Sequence, residues 1–212
     1  MKKTIAITAS LIATAGVLSA ATTITPTNGS VGNAWLQVID NAGNGVTGGT
    51  VSVGTFASVD GLADAEAGSV LSTFAQFGSS VALGSPVPGL FGLGAGTSIE
   101  ADLPNAGAAA GDFVGRNIFV VVSDGSDFIV FDTGRQFAFE NDLDAGAPVG
   151  VNLATDGTLI RGTIVPGGTS NLPGALAAGN GSDAVTFGVI PEPSSALLAG
   201  LALVGGLVRR RR

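Results

Sequence analysis

Thirty-four glycines cut this 212-residue chain into short pieces. Apolar runs of roughly four to eight residues alternate with Gly, Asn, Asp and Ser, long enough for strands and short for ordinary helices. The glycines follow no three-residue period, which excludes collagen-like order, and the apolar runs between them argue against simple disorder. No repeat of fixed length runs through the chain, which argues against a solenoid. The expected fold is mainly β: an antiparallel, sandwich-like domain with one short helix.

The strands can be placed. Ala34 to Ile39 and Val51 to Phe56 read as two strands with Asn44-Gly45 as the turn between them, because both positions tolerate positive φ. Asn117 to Ser123 and Phe128 to Asp132 flank Asp124-Gly125-Ser126-Asp127. Both arms are apolar on both faces, which puts this hairpin at the centre, covered on two sides. Val149 to Ala154 and Leu159 to Val165 flank Thr155-Asp156-Gly157 and read as another hairpin. Gln136 to Glu140, Ala184 to Val189 and Ala95 to Ala101 complete the set. The segment Ser69 to Phe77 breaks the pattern: Val70, Phe74 and Phe77 recur at helical spacing beside Leu71, so the helix is expected there. Pro86 to Leu93 and Thr169 to Gly181 read as long loops. Trp35 and the 11 phenylalanines supply the core.

The two ends differ from the body. The sequence opens MKKTIAITASLIATAGVLSAATT: two lysines, an apolar stretch, then Ser19, Ala20 and Ala21. That order reads as a secretory signal helix, cleaved after Ala21 by signal peptidase on a Sec-type route, with Ser19 and Ala21 at the −3 and −1 positions. At the other end, Pro191-Glu192-Pro193 precedes the apolar segment Ser194 to Val208 and the cluster Arg209, Arg210, Arg211 and Arg212. The prolines stiffen and extend the chain around Glu192. The apolar segment is short for a transmembrane helix, and the arginines act as its stop-transfer flank. The chain thus divides into a signal peptide (1–21), an exported mainly-β domain (22–188) and a tail (189–212).

Pro-Glu-Pro, an apolar helix and an arginine cluster, in that order, resemble the PEP-CTERM sorting signal of Gram-negative bacteria. The resemblance covers Val189 to Arg212. It implies that an exosortase-like membrane peptidase recognises Pro191, Glu192 and Pro193 and removes the tail. It also implies an inner-membrane intermediate, then a place at the cell surface or in the extracellular matrix, associated with extracellular polysaccharide.

Between the ends lie Thr22 to Ile190, 169 residues holding three arginines (Arg116, Arg135, Arg161) against fifteen carboxylates, a net charge of −12. Such a body does not bind nucleic acid, which must be met with Lys and Arg. There is no Cys to form disulfides and no His, which removes Ser-His-Asp and Cys-His catalysis and typical zinc sites. The body lacks Lys, and with it Schiff-base chemistry. The expectation is a protein that is not an enzyme and carries no cofactor.

Three acidic groups bear on that expectation. Glu140, Asp142 and Asp144 share one loop and are calcium candidates, although Asp and Asn are ordinary turn residues and the turn reading is preferred. Asp124 and Asp127 sit on the central hairpin. Asp60, Asp64 and Glu66 precede the expected helix, where carboxylates suit an N-terminus. The alternative functions are a carbohydrate- or calcium-binding β-sandwich module and, more distantly, a glycan-acting enzyme using two facing carboxylates.

Overall fold

The computed structural model of the protein describes residues 21–30, 34–63, 71–93, 97–102, 113, 115–125, 127–137 and 149–187. In chain order the strands are β1 (Ala21–Thr27), β2 (Gln37–Ile39), β3 (Thr50–Phe56), β4 (Phe74–Ala82), β5 (Ile99–Asp102), β6 (Asn117–Ser123), β7 (Phe128–Gln136), β8 (Val149–Asn152), β9 (Thr158–Arg161), β10 (Thr163–Val165) and β11 (Ala184–Thr186). A 3₁₀ helix, Gly174–Gly179, lies between β10 and β11, in a segment expected to be loop.

The expected central hairpin organises the largest sheet, whose order is β4-β3-β6-β7-β9, antiparallel throughout. β6 and β7 pair from Ser123↔Phe128 outward. Because side chains alternate along a strand, the unbroken apolar run of β6 feeds two clusters. Ile118, Val120 and Val122 join the main core, while Phe119 and Val121 join a second cluster with Phe56, Leu62, Phe128 and Val130. Both faces of the hairpin are therefore covered, as its sequence requires.

Two smaller sheets complete the main core, ordered β5-β1-β8 and β10-β11-β2. Ile24, Ile99 and Val151 enter it from the first, Val38 and Val185 from the second. A third cluster forms around Trp35, which is 2 % exposed and packs with Leu90 and Leu172. Trp35 lies between two glycines that leave it no spare room: a Cβ on Gly29 or on Gly179 would come within 2.3 or 2.1 Å of its ring.

Several sequence expectations need correction. The sheets are not purely antiparallel, since β1 runs parallel to β8 and β2 parallel to β11. The helix expected over Ser69 to Phe77 does not extend through it. Residues 71–73 are helical, but Phe74 onward is strand β4. The spacing of Phe74 and Phe77 also suits a strand covered on both faces. Phe74 opposes Phe56, their ring centroids 5.0 Å apart, while Phe77 is buried in the main core. Residues 69 and 70 lie outside the described residues.

The two outer hairpins also fail to form as drawn. β2 and β3 belong to different sheets. The chain instead reverses over Asp40–Asn44, with Asp40 N donating to Asn44 O and Gly43 at φ 82°. Gly45 sits on the returning arm, bridged to Ile39. The Asp40 carboxylate selects this earlier turn by accepting from the amides of Ala42 and Asn44, 2.8 Å each. Likewise β8 joins β1 and β9 joins β7, and Gly162, at φ 125°, divides the run expected as one strand into β9 and β10. The expected signal helix (residues 1–20 of it) and transmembrane helix fall outside the described residues. Among those described, no helix is long and apolar enough to cross a membrane.

Candidate functional site

The tail leaves the domain from β11. This strand lies between β10 and β2, with Ala184 and Val185 fully buried and Phe187 7 % exposed. Its place follows from its sequence, Ala-Val-Thr flanked by Asp183 and Phe187, short and apolar enough to be covered on both sides. The chain is thus fixed in the core up to Phe187, one residue before the expected end of the domain. Pro191, Glu192, Pro193 and Arg209 to Arg212 lie outside the described residues.

The exit is acidic. Thr186 and Phe187 line a depression of about 180 Å³ together with Asp40, Asp124 and Asp127. Asp40 is an exposed turn residue whose carboxyl is held below its usual range, first by the Asn44 amide, against a smaller opposing effect of desolvation. That keeps Asp40 anionic, the opposite of what a proton donor needs. Asp124 Oδ1 accepts from the Asp127 amide at 2.8 Å and so braces the central hairpin. Asp127 Oδ1 accepts from Phe128 N at 2.8 Å and lies 3.4 Å from Arg161 Nη2.

Arg161 is a structural residue that sequence patterning did not single out, although the scarcity of cations in the body was a signal. It is 5 % exposed, with its guanidinium 4.3 Å above the Phe128 ring. Its Nη1 donates to Ala63 O at 3.3 Å, which fastens the loop carrying Leu62 over the second cluster.

The remaining sequence candidates are placed as follows. Ala21 opens β1, opposite Asp102. Asp60 is exposed in the loop after β3, its amide donating to Ser58 Oγ at 3.1 Å. Glu140, Asp142 and Asp144, and also Asp64 and Glu66, lie outside the described residues. Among the described residues no three His, Cys, Asp or Glu side chains gather closely enough to hold a metal ion.

Residues 189–212 match the family model described as the PEP-CTERM protein-sorting motif. The match takes in the Pro-Glu-Pro triplet and the arginine cluster singled out from the sequence. The chain therefore carries a signal for export and sorting by exosortase, a membrane peptidase. No curated protein and no solved structure matches the chain significantly.

Proposed function

We propose that this is an exported, non-enzymatic cell-surface or extracellular-matrix protein of a Gram-negative-type bacterium, built as a β-sandwich-like domain on a removable tail. Sec-type export and signal peptidase cleavage after Ala21 release the N-terminus, leaving β1 to begin at Thr22. The segment Ser194 to Val208 holds the chain in the inner membrane, and Arg209 to Arg212 stop it there. Each arginine would cost about 2.5–3.5 kcal/mol at mid-bilayer on the insertion scale. The peptidase then cuts at or near Pro191-Glu192-Pro193, and the domain joins the extracellular polysaccharide.

The observation that carries this reading is the sorting motif at residues 189–212. It is supported by a domain whose chain is anchored in the core until Phe187, so that cutting beyond it leaves every described strand intact. Intact mass, compared across membrane, surface and medium fractions, tests it. A mass ending near Ile190 to Pro193, with or without an added group, is expected. A mature mass that retains the four arginines would refute the processing. Glu192→Ala, or serine at all four arginine positions, should preserve export and accumulate an unprocessed form; normal processing of both variants would refute the assigned roles.

A further inference from the structure

Three arginines carry all the positive charge of the exported body, and two of them pair within it. Arg135 lies 3.4 Å from Asp156, and Arg161 the same distance from Asp127. Arg116 is exposed and makes no side-chain hydrogen bond or ion pair among the described residues. Its backbone, by contrast, is fixed. Arg116 N donates to Phe113 O at 3.0 Å, Phe137 N to Arg116 O at 2.9 Å, and Gly115 N to Phe137 O at 2.7 Å. Phe113 and Phe137 are buried against one another and Phe77 in a cluster of three rings. Gly115, at φ 76°, completes the turn and leaves open space where a side chain would stand. A lone cation is thus presented on a rigid base at the start of β6.

Beside it runs a cleft of about 490 Å³, between this turn and the loop that follows β3. Small-molecule sites commonly span roughly 300–1,000 Å³. Val59, 45 % exposed, is its accessible apolar side chain, while Phe56 and Phe119, packed edge to face at 5.2 Å, are buried with only 5 % and 2 % exposed. Ser58, Asp60 and Asn117 line it with polar groups, all exposed. Asn117 Oδ1 accepts from Gln136 Nε2 at 3.2 Å, which leaves its amide nitrogen available as a donor. The Asp60 carboxylate has no cation within salt-bridge distance among the described residues and can accept from hydroxyls.

A guanidinium fork matches a carboxylate. An amide donor, a hydroxyl and a carboxylate acceptor match the hydroxyls of a sugar, and the exposed Val59 suits its C–H face. The overall charge narrows the choice further. One arginine on a body of net charge −12 does not attract a polyanion, and Asp60 on the same cleft opposes a doubly charged phosphate more than a single carboxylate. We infer that this cleft binds a sugar residue bearing one carboxylate, a uronic-acid unit in a largely neutral polysaccharide. Arg116 grips the carboxylate, and Asp60 and Asn117 take the hydroxyls. This deepens the matrix reading by naming the sugar and the residues that would meet it.

The test is calorimetric titration of the purified exported chain with cellobiouronic acid, a glucuronyl-glucose disaccharide, with cellobiose and inorganic phosphate as controls. The acid should bind at millimolar or lower concentration and more tightly than either control. Arg116→Gln should weaken it by about tenfold or more, the scale of a charge-assisted pair, and leave the melting temperature unchanged because the side chain is exposed. Arg116→Lys should fall between. No binding of the acid, binding no tighter than cellobiose or phosphate, or equal binding by Arg116→Gln would each overturn the inference. None of these outcomes alters the mass expected for the processed chain, so the sorting reading stands or falls separately.

Discussion

Asn28 offers the sharpest test of how the small sheets are held together. It is 1 % exposed, and its side chain makes three hydrogen bonds to backbone. Nδ2 donates to Leu36 O at 2.9 Å and to Gly89 O at 2.8 Å, and Oδ1 accepts from Phe91 N at 3.1 Å. One amide therefore joins the chain after β1 to the approach to β2 and to the loop near Gly89. Asn28→Ala removes all three bonds, although Gly89 O still accepts from Val38 N at 2.9 Å. At about 1 kcal/mol for each bond, the loss is about 3 kcal/mol. For a domain of this size, that lowers Tm by roughly 6–12 °C. Asn28→Asp keeps the acceptor for Phe91 N but sets a buried anion against two carbonyls, so it should cost more than alanine at neutral pH. Burial and the two facing acceptors push that carboxyl's pKa up. A carboxyl raised in the folded state regains stability as pH falls through its folded value. The aspartate deficit should therefore shrink on acidification, while the alanine deficit does not follow the same titration. Urea denaturation of the exported chain, followed by the fluorescence of its single, buried Trp35, reads both. An alanine variant within about 0.5 kcal/mol of wild type, the usual scatter of neutral surface changes, would refute the reasoning. So would an aspartate variant whose deficit is flat with pH.

Arg161→Lys keeps the charge but cannot span Phe128, Asp127 and Ala63 O with one flat group. It should destabilise the domain by about 1–2 kcal/mol and Arg161→Ala by about 2–4 kcal/mol in the same denaturation assay. Asp40, whose carboxyl is lowered from its ordinary 3.8, adds stability that is complete above that value and is lost as pH falls through the folded value. Asp40→Asn should accordingly flatten the decline of Tm on the acid side of about pH 4, measured by thermal melts across pH. Gly179→Ala forces a methyl to within 2.1 Å of Trp35; the ring or the 3₁₀ helix must move, and a blue or red shift of the Trp35 emission, together with a lower Tm, should report it.

What the sequence disclosed about the fold depended on whether the deciding contacts were local. The β6–β7 hairpin was legible because its turn and both arms lie within twenty residues and its doubly apolar arms demand a central place. β1 carries no strand signal of its own. Its threonines alternate with Ile24 and Pro26, and what makes it a strand is Val149–Asn152, more than a hundred residues away and running parallel to it. The Asn44-Gly45 turn failed for a related reason: the Asp40 carboxylate, a competitor within the same loop, closed the chain earlier. Phe74 and Phe77 fit two periods equally well, and only the pairing with β3 decides between them. The candidate sites divide along the same line. A peptidase reads the sorting signal as a linear run, so its residues could be named from the sequence. The cleft at Arg116 is assembled from the ends of β3 and β6, and nothing in either segment alone marks it.

The geometry of the exit ties the domain to its tail. From Phe187 to Ser194 is seven residues, which can span at most about 24 Å at the reach of an extended chain. With Ser194 at the start of the membrane segment, as proposed, the domain is held within that distance of the bilayer. The depression beside Phe187 is lined by Asp40, Asp124 and Asp127, and the Asp40 carboxyl is held below its usual range. Any anionic lipid in the leaflet that faces the domain repels such a face, and over a Debye length of about 8 Å at physiological salt the repulsion acts only at close approach. On the proposed reading, this repulsion keeps the domain off the bilayer at close approach and so leaves room for a membrane-embedded peptidase to reach the tail. Replacing Asp40 and Asp124 with asparagine should then slow removal of the tail in cells without changing export, read as the ratio of unprocessed to processed mass. An unchanged ratio would mean that the acidic face serves solubility alone.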